Sequence, residues 1–232
     1  MKPTVEIFQD FVESIDLTRV VVGVSPTSLN ETTVTLAEPL PLTNRGSFII
    51  AAGGEKVRVE RINASRTEIV LNGNISFDNN RGVQFLKEVL NFQAGTPMEV
   101  NDILKVLPEK DKYMLVYFPE VVKEQYNSVS NAVSLTTRVS PFILDMRDPK
   151  WRRSETVEET LSRLDHARAI MIEAIRKYKC FESFNTDFDI YRFAKFGVEE
   201  KNKGAVKSIF DDHLSAIRID FQLNINRCAC TA

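Results

Sequence analysis

The sequence predicts an α+β protein in which a small antiparallel β-barrel or sandwich precedes a domain with helices packed on a sheet. Short segments rich in β-branched residues crowd residues 18–73. Helix-like and strand-like patterns then alternate from residue 83 onward. A polar stretch rich in asparagine and glycine separates the two regions and predicts a boundary. We therefore expect an N-terminal domain over 1–78 and an α+β domain over 79–232.

The composition limits the classes of function. The 232-residue chain is 43% hydrophobic and 27% charged, as expected for a folded globular protein. Its formal net charge of -2 argues against broad electrostatic binding of nucleic acid. No apolar run approaches the roughly 18 residues that cross a bilayer, and acidic residues near the start are atypical of a signal peptide. We expect a protein of the reducing cytoplasm with no membrane partner.

The first elements are a helix and a set of strands. Apolar residues at helical spacing predict a short amphipathic helix over 4–16, which could also serve as an arm for a neighbouring subunit. They are Phe8, Phe11, Val12 and Ile15. Five strand-like segments follow between turn-forming prolines and glycines, and they predict the barrel or sandwich. These segments are TRVVVGV, TTVTLAE, SFIIA, KVRVERI and TEIVLNG.

The second region opens with two predicted helices and a strand. The spacing of Val83, Leu86, Val89 and Leu90 predicts a short helix. The segment TPME has the pattern of a capping box with proline at the first helical position, and it predicts a helix through Val106. KYMLVYF, which is apolar and aromatic, predicts a strand after that helix.

Three more strands and the clearest helix complete the chain. NAVSLTTRVSPFILDM predicts a strand with a bulge near Ser140 and Pro141. A capping box of Thr156 and Glu159 predicts a helix that ends near Tyr178. FDIYRFAKFG and HLSAIRIDFQLNIN predict the last strands, and apolar residues in the latter alternate with polar ones. The residues expected on its buried face are Ile217, Ile219, Phe221, Leu223 and Ile225.

Cys228 and Cys230, one residue apart, are the first candidates for chemistry. Two thiolates can bind a soft metal ion, but a structural zinc site needs four ligands. Cys180, His166 and His213 supply no second ligand pair in sequence. A redox site favours the spacing C-x-x-C at a helix start, whereas this pair follows a strand. We interpret the pair as a strand terminus, with a metal- or thiol-dependent enzyme as the weaker alternative.

The histidines give a second possible origin of catalysis. His166 shares a predicted helix face with Glu159 and Glu173, so a histidine–carboxylate pair is possible, but a solvated helix surface is the preferred interpretation. His213 follows two aspartates, where a polar turn is favoured over a cation site. The sequence shows no set of nucleophile, base and oxyanion donor. We therefore expect no catalytic residues, no cofactor and no metal ion.

Trp151, Arg152 and Arg153 are the candidates for an interface. Tryptophan and arginine are favoured anchors at protein interfaces, and the three residues precede a capped helix. The same residue types can stack on nucleic acid, but the near-zero net charge favours a protein contact. An equally simple alternative is that Trp151 covers the start of the helix.

Three segments after residue 95 carry a resemblance to a known family. They begin TPMEVNDILKV, SLTTRVSPFILDM and SIFDDHLSAIRIDF. The residues that match best form an acidic turn, a helix opening and a run into the last strand: Asp145 and Asp148; Arg153, Glu155 and Thr156; Phe210, Asp211, Asp212, Leu214 and Arg218. With this pattern, residues 96–232 resemble the tail-completion and neck-ring proteins of tailed bacteriophages, especially those of phages and prophages in Bacteroidetes.

The resemblance implies a virion structural protein that acts by assembly and not by turnover. It implies a tail-terminator-like domain and a homo-oligomeric ring at the head–tail junction, with portal, connector or tail proteins as neighbours. Such a ring is assembled in the host cytoplasm and meets DNA only through its lumen. A cytoplasmic adaptor that binds one partner as a monomer is the alternative from another class.

Overall fold

The structure is a computed structural model. It describes residues 3–28, 30–43, 45–51, 54–73, 75, 84–119, 123–126, 134–146, 150, 160–182, 187–200 and 206–226. The chain divides into two compact units. We call Asp16–Val89 with Pro108–Tyr113 the barrel unit, and Met1–Ile15, Leu90–Leu107 and Met114–Ala232 the α+β unit.

Six strands of the barrel unit form a closed antiparallel barrel. They are β1 (Thr18–Ser28), β2 (Glu31–Leu36), β3 (Phe48–Ile50), β4 (Lys56–Ile62), β5 (Glu68–Asn72) and β6 (Gln84–Lys87). Their order is β1-β2-β5-β4-β3-β6, and β6 pairs with β1 to close the barrel. Alternate residues of the strands fill the interior, among them Val34, Ile49, Val59 and Leu71, which have no exposed surface. Of the two predicted alternatives, a small antiparallel barrel or a sandwich, the structure has the barrel.

Strand β6 replaces the short helix predicted around Leu86. The segment is extended, with Leu86 fully buried in the core and Phe85 exposed. Antiparallel pairing with β1, in which Thr18 lies opposite Lys87, satisfies the backbone hydrogen-bonding groups of β6. Helical spacing over so few residues gives little intrinsic stability in water, so the pairing that closes the barrel determines the conformation.

The α+β unit contains helices on a mixed sheet. Its elements are α1 (Thr4–Glu13), β7 (Asn91–Gly95), α2 (Pro97–Val106), β8 (Leu115–Pro119), β9 (Lys123–Tyr126), β10 (Ser134–Val139), β11 (Phe142–Met146), α3 (Ser162–Lys177), β12 (Asp189–Phe196), β13 (Val198–Glu200), β14 (Val206–Ser208) and β15 (Leu214–Asn226). The seven-stranded sheet has the order β7-β8-β11-β15-β10-β9, and β12 also pairs with β15. β7 and β8 are parallel, whereas the other pairs are antiparallel. The predicted α+β class is confirmed.

The 13-residue strand β15 lies at the centre of this sheet. β10 and β11 follow each other along one of its edges, and β12 pairs with the other edge. The residue pairing of β15 continues in one register from β10 to β11, so the prediction of a bulge near Ser140 and Pro141 was wrong. Proline removes one backbone donor there, but the Pro141 carbonyl still accepts a backbone hydrogen bond of 3.0 Å from Ile219.

The predicted buried face of β15 is confirmed. All five of its expected apolar residues are buried: Ile217, Ile219, Phe221, Leu223 and Ile225. Helix α3 contacts β15 and buries its own apolar stripe, which includes Leu164, Ala167 and Met171. The described residues of α3 agree with the predicted helix, whereas the capping box of Thr156 and Glu159 lies outside the described residues.

Helix α1 belongs to the α+β unit, which differs from the domain boundaries expected at 1–78 and 79–232. Phe8 and Phe11 on its apolar face have no exposed surface. The Phe8 ring lies 4.7 Å from the ring of Phe118 on β8, and the Phe11 ring lies 5.2 Å from that of Phe181. Helical spacing revealed the apolar face of α1, but these aromatic partners lie far along the chain.

Substituting Phe8 tests this assignment of α1. We expect Phe8→Ala to lower the free energy of unfolding of the α+β unit by about 3–5 kcal/mol, because a large buried aromatic side chain is lost. Amide hydrogen exchange should then show reduced protection in β15 and unchanged protection in β2. The matched control is Gln9→Ala at the next, exposed residue, which we expect to change little. Loss of protection in β2 with β15 unchanged would contradict the assignment.

Candidate assembly surfaces

The outer wall of the barrel carries a group of exposed apolar side chains, which we call the barrel stripe. It comprises Val20 and Val22 on β1, which are 38% and 61% exposed, and Phe85 on β6, which is 43% exposed. Val24 is 41% exposed but lies opposite the buried Val34, so its side chain is on the inner face of the wall. Val20 and Phe85 lie directly opposite each other in the β1–β6 register. Neighbouring exposed apolar side chains are a mark of interaction surfaces, whereas single ones are common on any protein.

An irregularity in β1 positions the most exposed valine. Val21 pairs with Leu36 and Gly23 pairs with Thr35, so β1 holds one more residue than β2 between these pairs. Such a bulge leaves the extra residue, Val22, unpaired and changes the direction of its side chain. The sequence TRVVVGV therefore supplies apolar side chains to both faces of the barrel wall.

A second surface lies on the face of the sheet opposite α1 and α3. Phe142, Arg218 and Tyr191 occupy one row across β11, β15 and β12. The Arg218 guanidinium carbon lies 4.3 Å from the centroid of the Tyr191 ring and 6.0 Å from that of Phe142, which allows cation–π attraction. Asp220 lies beside Arg218, with 2.9 Å between Oδ1 and Nε. We call Phe142, Arg218 and Tyr191 the sheet row.

The sheet row has the residue types of an interface anchor. Tyr191 is 44% exposed, and tyrosine and arginine are enriched where proteins bind each other. Stacking between the two side chains fixes their rotamers before any partner arrives, which reduces the entropy lost on binding. Arg218 belongs to the run of residues that carried the resemblance, whereas Tyr191 had no signal in sequence beyond its place in a strand.

The interface candidates and the cysteine pair predicted from sequence stay predictions. Trp151, Arg152 and Arg153, like Cys228 and Cys230, lie outside the described residues. The third cysteine, Cys180, is buried and free. In the described part of the chain, no group of three or more histidine, cysteine, aspartate or glutamate side chains could hold a metal ion.

Glu173, one of the carboxylates considered with His166, has another partner in the structure, and Glu159 lies outside the described residues. His166 lies on the exposed side of α3, where its Nδ1 is 2.8 Å from the Ser162 carbonyl oxygen. Glu173 forms a salt bridge with Lys177, in which Oε1 and Nζ are 2.5 Å apart. Asp211, before His213, holds α2 in place, because its backbone N–H donates to Asn101 at 3.0 Å. Glu173 and Asp211 thus have structural partners.

Helix α2 is fixed at its start as the sequence predicts. The Thr96 hydroxyl accepts a hydrogen bond of 3.3 Å from the Glu99 backbone, and the Glu99 carboxylate accepts one of 2.8 Å from the Thr96 backbone. These reciprocal bonds, with Pro97 at the first helical position, confirm the capping box. The carboxylate is ionised readily there, because the hydrogen bonds from Thr96 lower the pKa of Glu99.

Asp145, from the acidic turn of the resemblance, is buried on β11 against α3. Its Oδ2 lies 2.7 Å from Nη2 of Arg163, and both side chains are less than 10% exposed. The two atoms are close without the angles of a hydrogen bond. Burial raises the pKa of Asp145, and the Arg163 guanidinium opposes that shift. The pair joins helix to sheet, which is a structural role.

No protein-family model, curated protein or solved structure matches the chain. None of the helices in the described ranges is both long and apolar enough to cross a membrane.

Removing the Asp145 carboxylate should destabilise the α+β unit. We expect Asp145→Ala to lower its free energy of unfolding by about 3–5 kcal/mol in a urea titration, because the buried Arg163 charge loses its counter-ion. The double change Asp145→Leu with Arg163→Met should recover most of that loss. Asp165→Ala is the matched control, since Asp165 pairs with Arg168 and Arg192 at the surface, where an ion pair contributes about 0–1 kcal/mol. Equal effects of the two alanine changes would contradict the structural role of the buried pair.

Proposed function

We propose that this protein is a virion structural protein, a subunit of a neck or tail-completion ring that acts by assembling with further copies of itself. The observation that carries the proposal is the barrel stripe. Every strand of the barrel pairs with two neighbours, although residues 22–28 of β1 pair only with β2 among the described residues. The backbone groups of the closed part are already paired, so contacts with another subunit there would use side chains of the outer wall, among which Val20, Val22 and Phe85 are exposed.

The free energy available from the barrel stripe limits how assembly can work. Three apolar side chains of about half exposure contribute roughly 2–5 kcal/mol when they become buried. Association costs about 4–15 kcal/mol in lost freedom of motion. The stripe alone is therefore too weak to hold two copies at low concentration, so the proposal requires a second contact region on each subunit.

The sheet row supplies a candidate for that second region. A ring is built from head-to-tail contacts, in which each subunit uses two different surfaces. The barrel stripe lies on the barrel unit and the sheet row lies on the α+β unit, so each copy has two chemically distinct surfaces. One is aliphatic and the other is aromatic and charged, which would allow each to select a different partner surface.

The resemblance noted in the sequence supports the same proposal. The order of α2, β8, β11, α3 and the alternating strand β15 matches the order of elements that the resemblance implies. In the proposed assembly the α+β unit is the tail-terminator-like, ring-forming part, located in the virion after assembly in the host cytoplasm. Portal, connector or tail proteins would be its neighbours, and DNA would pass only through the lumen of the ring.

The oligomeric state tests this function. We expect the wild-type protein to form oligomers as its concentration rises, measured by size-exclusion chromatography with light scattering and by native mass spectrometry. The double change Val22→Asp with Phe85→Asp should shift the protein to monomers. The free energy needed to bury the two new carboxylates is larger than the stabilisation from the original apolar contact. The matched control is Ala64→Asp, an equivalent change in an exposed turn of the same barrel.

Two outcomes would count against the proposal. A wild-type protein that stays monomeric at every concentration, and that forms no ring in images of native particles, would favour the monomeric adaptor. Oligomers that survive the Val22 and Phe85 changes, with folding verified by circular dichroism, would show that the barrel stripe is not the contact.

A further inference from the structure

Glu88, directly after β6, is a carboxylic acid buried in the barrel unit. The residue is 2% exposed. Its Oε1 accepts hydrogen bonds of 2.8 Å from the backbone N–H of Leu42 and of 2.8 Å from the hydroxyl of Thr43. Its Oε2 is buried and has no hydrogen-bond partner among the described residues. A buried carboxyl with one unsatisfied oxygen is costly, so its position calls for a physical explanation.

The hydrogen bonds that Glu88 accepts hold the connection between β2 and β3. We call residues 40–43 the crossing segment, and its side chains Leu40, Leu42 and Thr43 are buried. Arg66 supports the same segment, because its Nη1 donates to the Thr43 carbonyl at 2.8 Å. The backbone N–H of Glu88 donates to the Leu17 carbonyl at 3.2 Å, where the chain enters β1. Glu88 thus joins the closure of the barrel to the crossing segment.

The two hydrogen bonds do not require an ionisable group. A glutamine at position 88 could accept both through its carbonyl oxygen and remain neutral at every pH. What the carboxyl adds is the ability to lose a proton inside the barrel wall. Ionisation there places a negative charge away from water and without a counter-ion in direct contact. The free-energy cost of that charge weakens the contacts that bury Glu88.

The surrounding charges and hydrogen bonds set the direction of the effect. Burial raises the pKa of Glu88, while the hydrogen bonds from Thr43 and Leu42 and the positive charge of Arg19 on β1 oppose that change. Arg66 lies on the turn between β4 and β5 and contacts the crossing segment. Glu38 precedes the segment and forms an ion pair with Arg19 at 3.7 Å, which reduces the influence of that arginine.

We propose that Glu88 is a pH-dependent latch that holds the crossing segment firmly when it is protonated and more weakly when it is ionised. When the segment opens, Glu88 reaches water and has the ordinary carboxyl pKa of about 4.3. Closing raises that pKa, so closing takes up a proton. The closed state is therefore favoured most at acidic pH, and the ratio of closed to open falls as the pH rises between the two pKa values. Above the higher pKa the ratio no longer changes.

Hydrogen exchange at the Leu42 amide tests the latch, because that N–H is bonded to Glu88 directly. Exchange would be followed by NMR on the full chain between pH 4 and pH 8 and corrected for the intrinsic exchange rate. We expect the protection of Leu42 to fall tenfold for each unit by which the two pKa values differ. The amide of Leu36, which donates to the Thr67 carbonyl at 2.8 Å, is the internal reference.

Two variants complete the test. Glu88→Gln should make the protection of Leu42 independent of pH, whereas Glu68→Gln, at an exposed carboxyl on β5, should keep the wild-type dependence. Constant protection in the wild type, or the same fall in Glu88→Gln, would overturn the proposal. If Glu88→Gln does not fold, the pKa of Glu88 measured in the wild type from its carboxyl carbon decides: a value above 4.3 supports the latch and a value at or below 4.3 overturns it. The result is independent of the oligomeric state.

Discussion

The apolar face of β15 is the constraint on which the α+β unit depends. Strands β10, β11 and β12 pair with it, and α3 contacts it. Its last part also forms a bridge from Ile225 to Phe181, which in turn contacts the rings of Phe8 and Phe11 on α1. The position of the first helix therefore follows from the position of the last strand. Burial of five large apolar residues on one strand makes this arrangement stable.

The barrel unit follows a different principle, because closure satisfies its backbone hydrogen bonds. The interior is filled by alternate residues of six short strands, and the outer wall is free to vary. This freedom explains why an exposed apolar group such as the barrel stripe is compatible with the fold. The buried acid Glu88 lies directly after β6, where it receives hydrogen bonds from the crossing segment.

The sequence contained enough information for the elements with long, regular patterns. The alternation in β15, the capping box of α2 and the apolar face of α1 each predicted the element that forms. Short segments were less informative, because the four residues of β6 fit a helix or a strand equally well until closure with β1 is known. The partners of α1 were also hidden, since periodicity shows that a face is apolar but not which residues cover it.

The candidate surfaces were missed for a related reason. Consecutive valines in TRVVVGV indicated that both faces of β1 are apolar, which is the signal that could have revealed the barrel stripe. Charged residues are exposed in most proteins, so nothing in the sequence marked Glu88 or Asp145 as buried. Their environments arise from contacts between segments far apart in the chain, as Glu88 with Leu42 and Asp145 with Arg163 show.

The insertion of the barrel between α1 and β7 has a consequence for biosynthesis. A ribosome completes residues 16–89 before it makes any of the aromatic residues that cover α1. The barrel can thus close while the chain is still growing, as domains commonly do. Phe8, in contrast, meets Phe92 and then Phe118 only after the barrel has been translated, and Phe11 meets Tyr178 and Phe181 later still. The sheet beneath them is incomplete until β15 emerges. Helix α1 is therefore translated before the barrel but reaches its final place after the barrel can close.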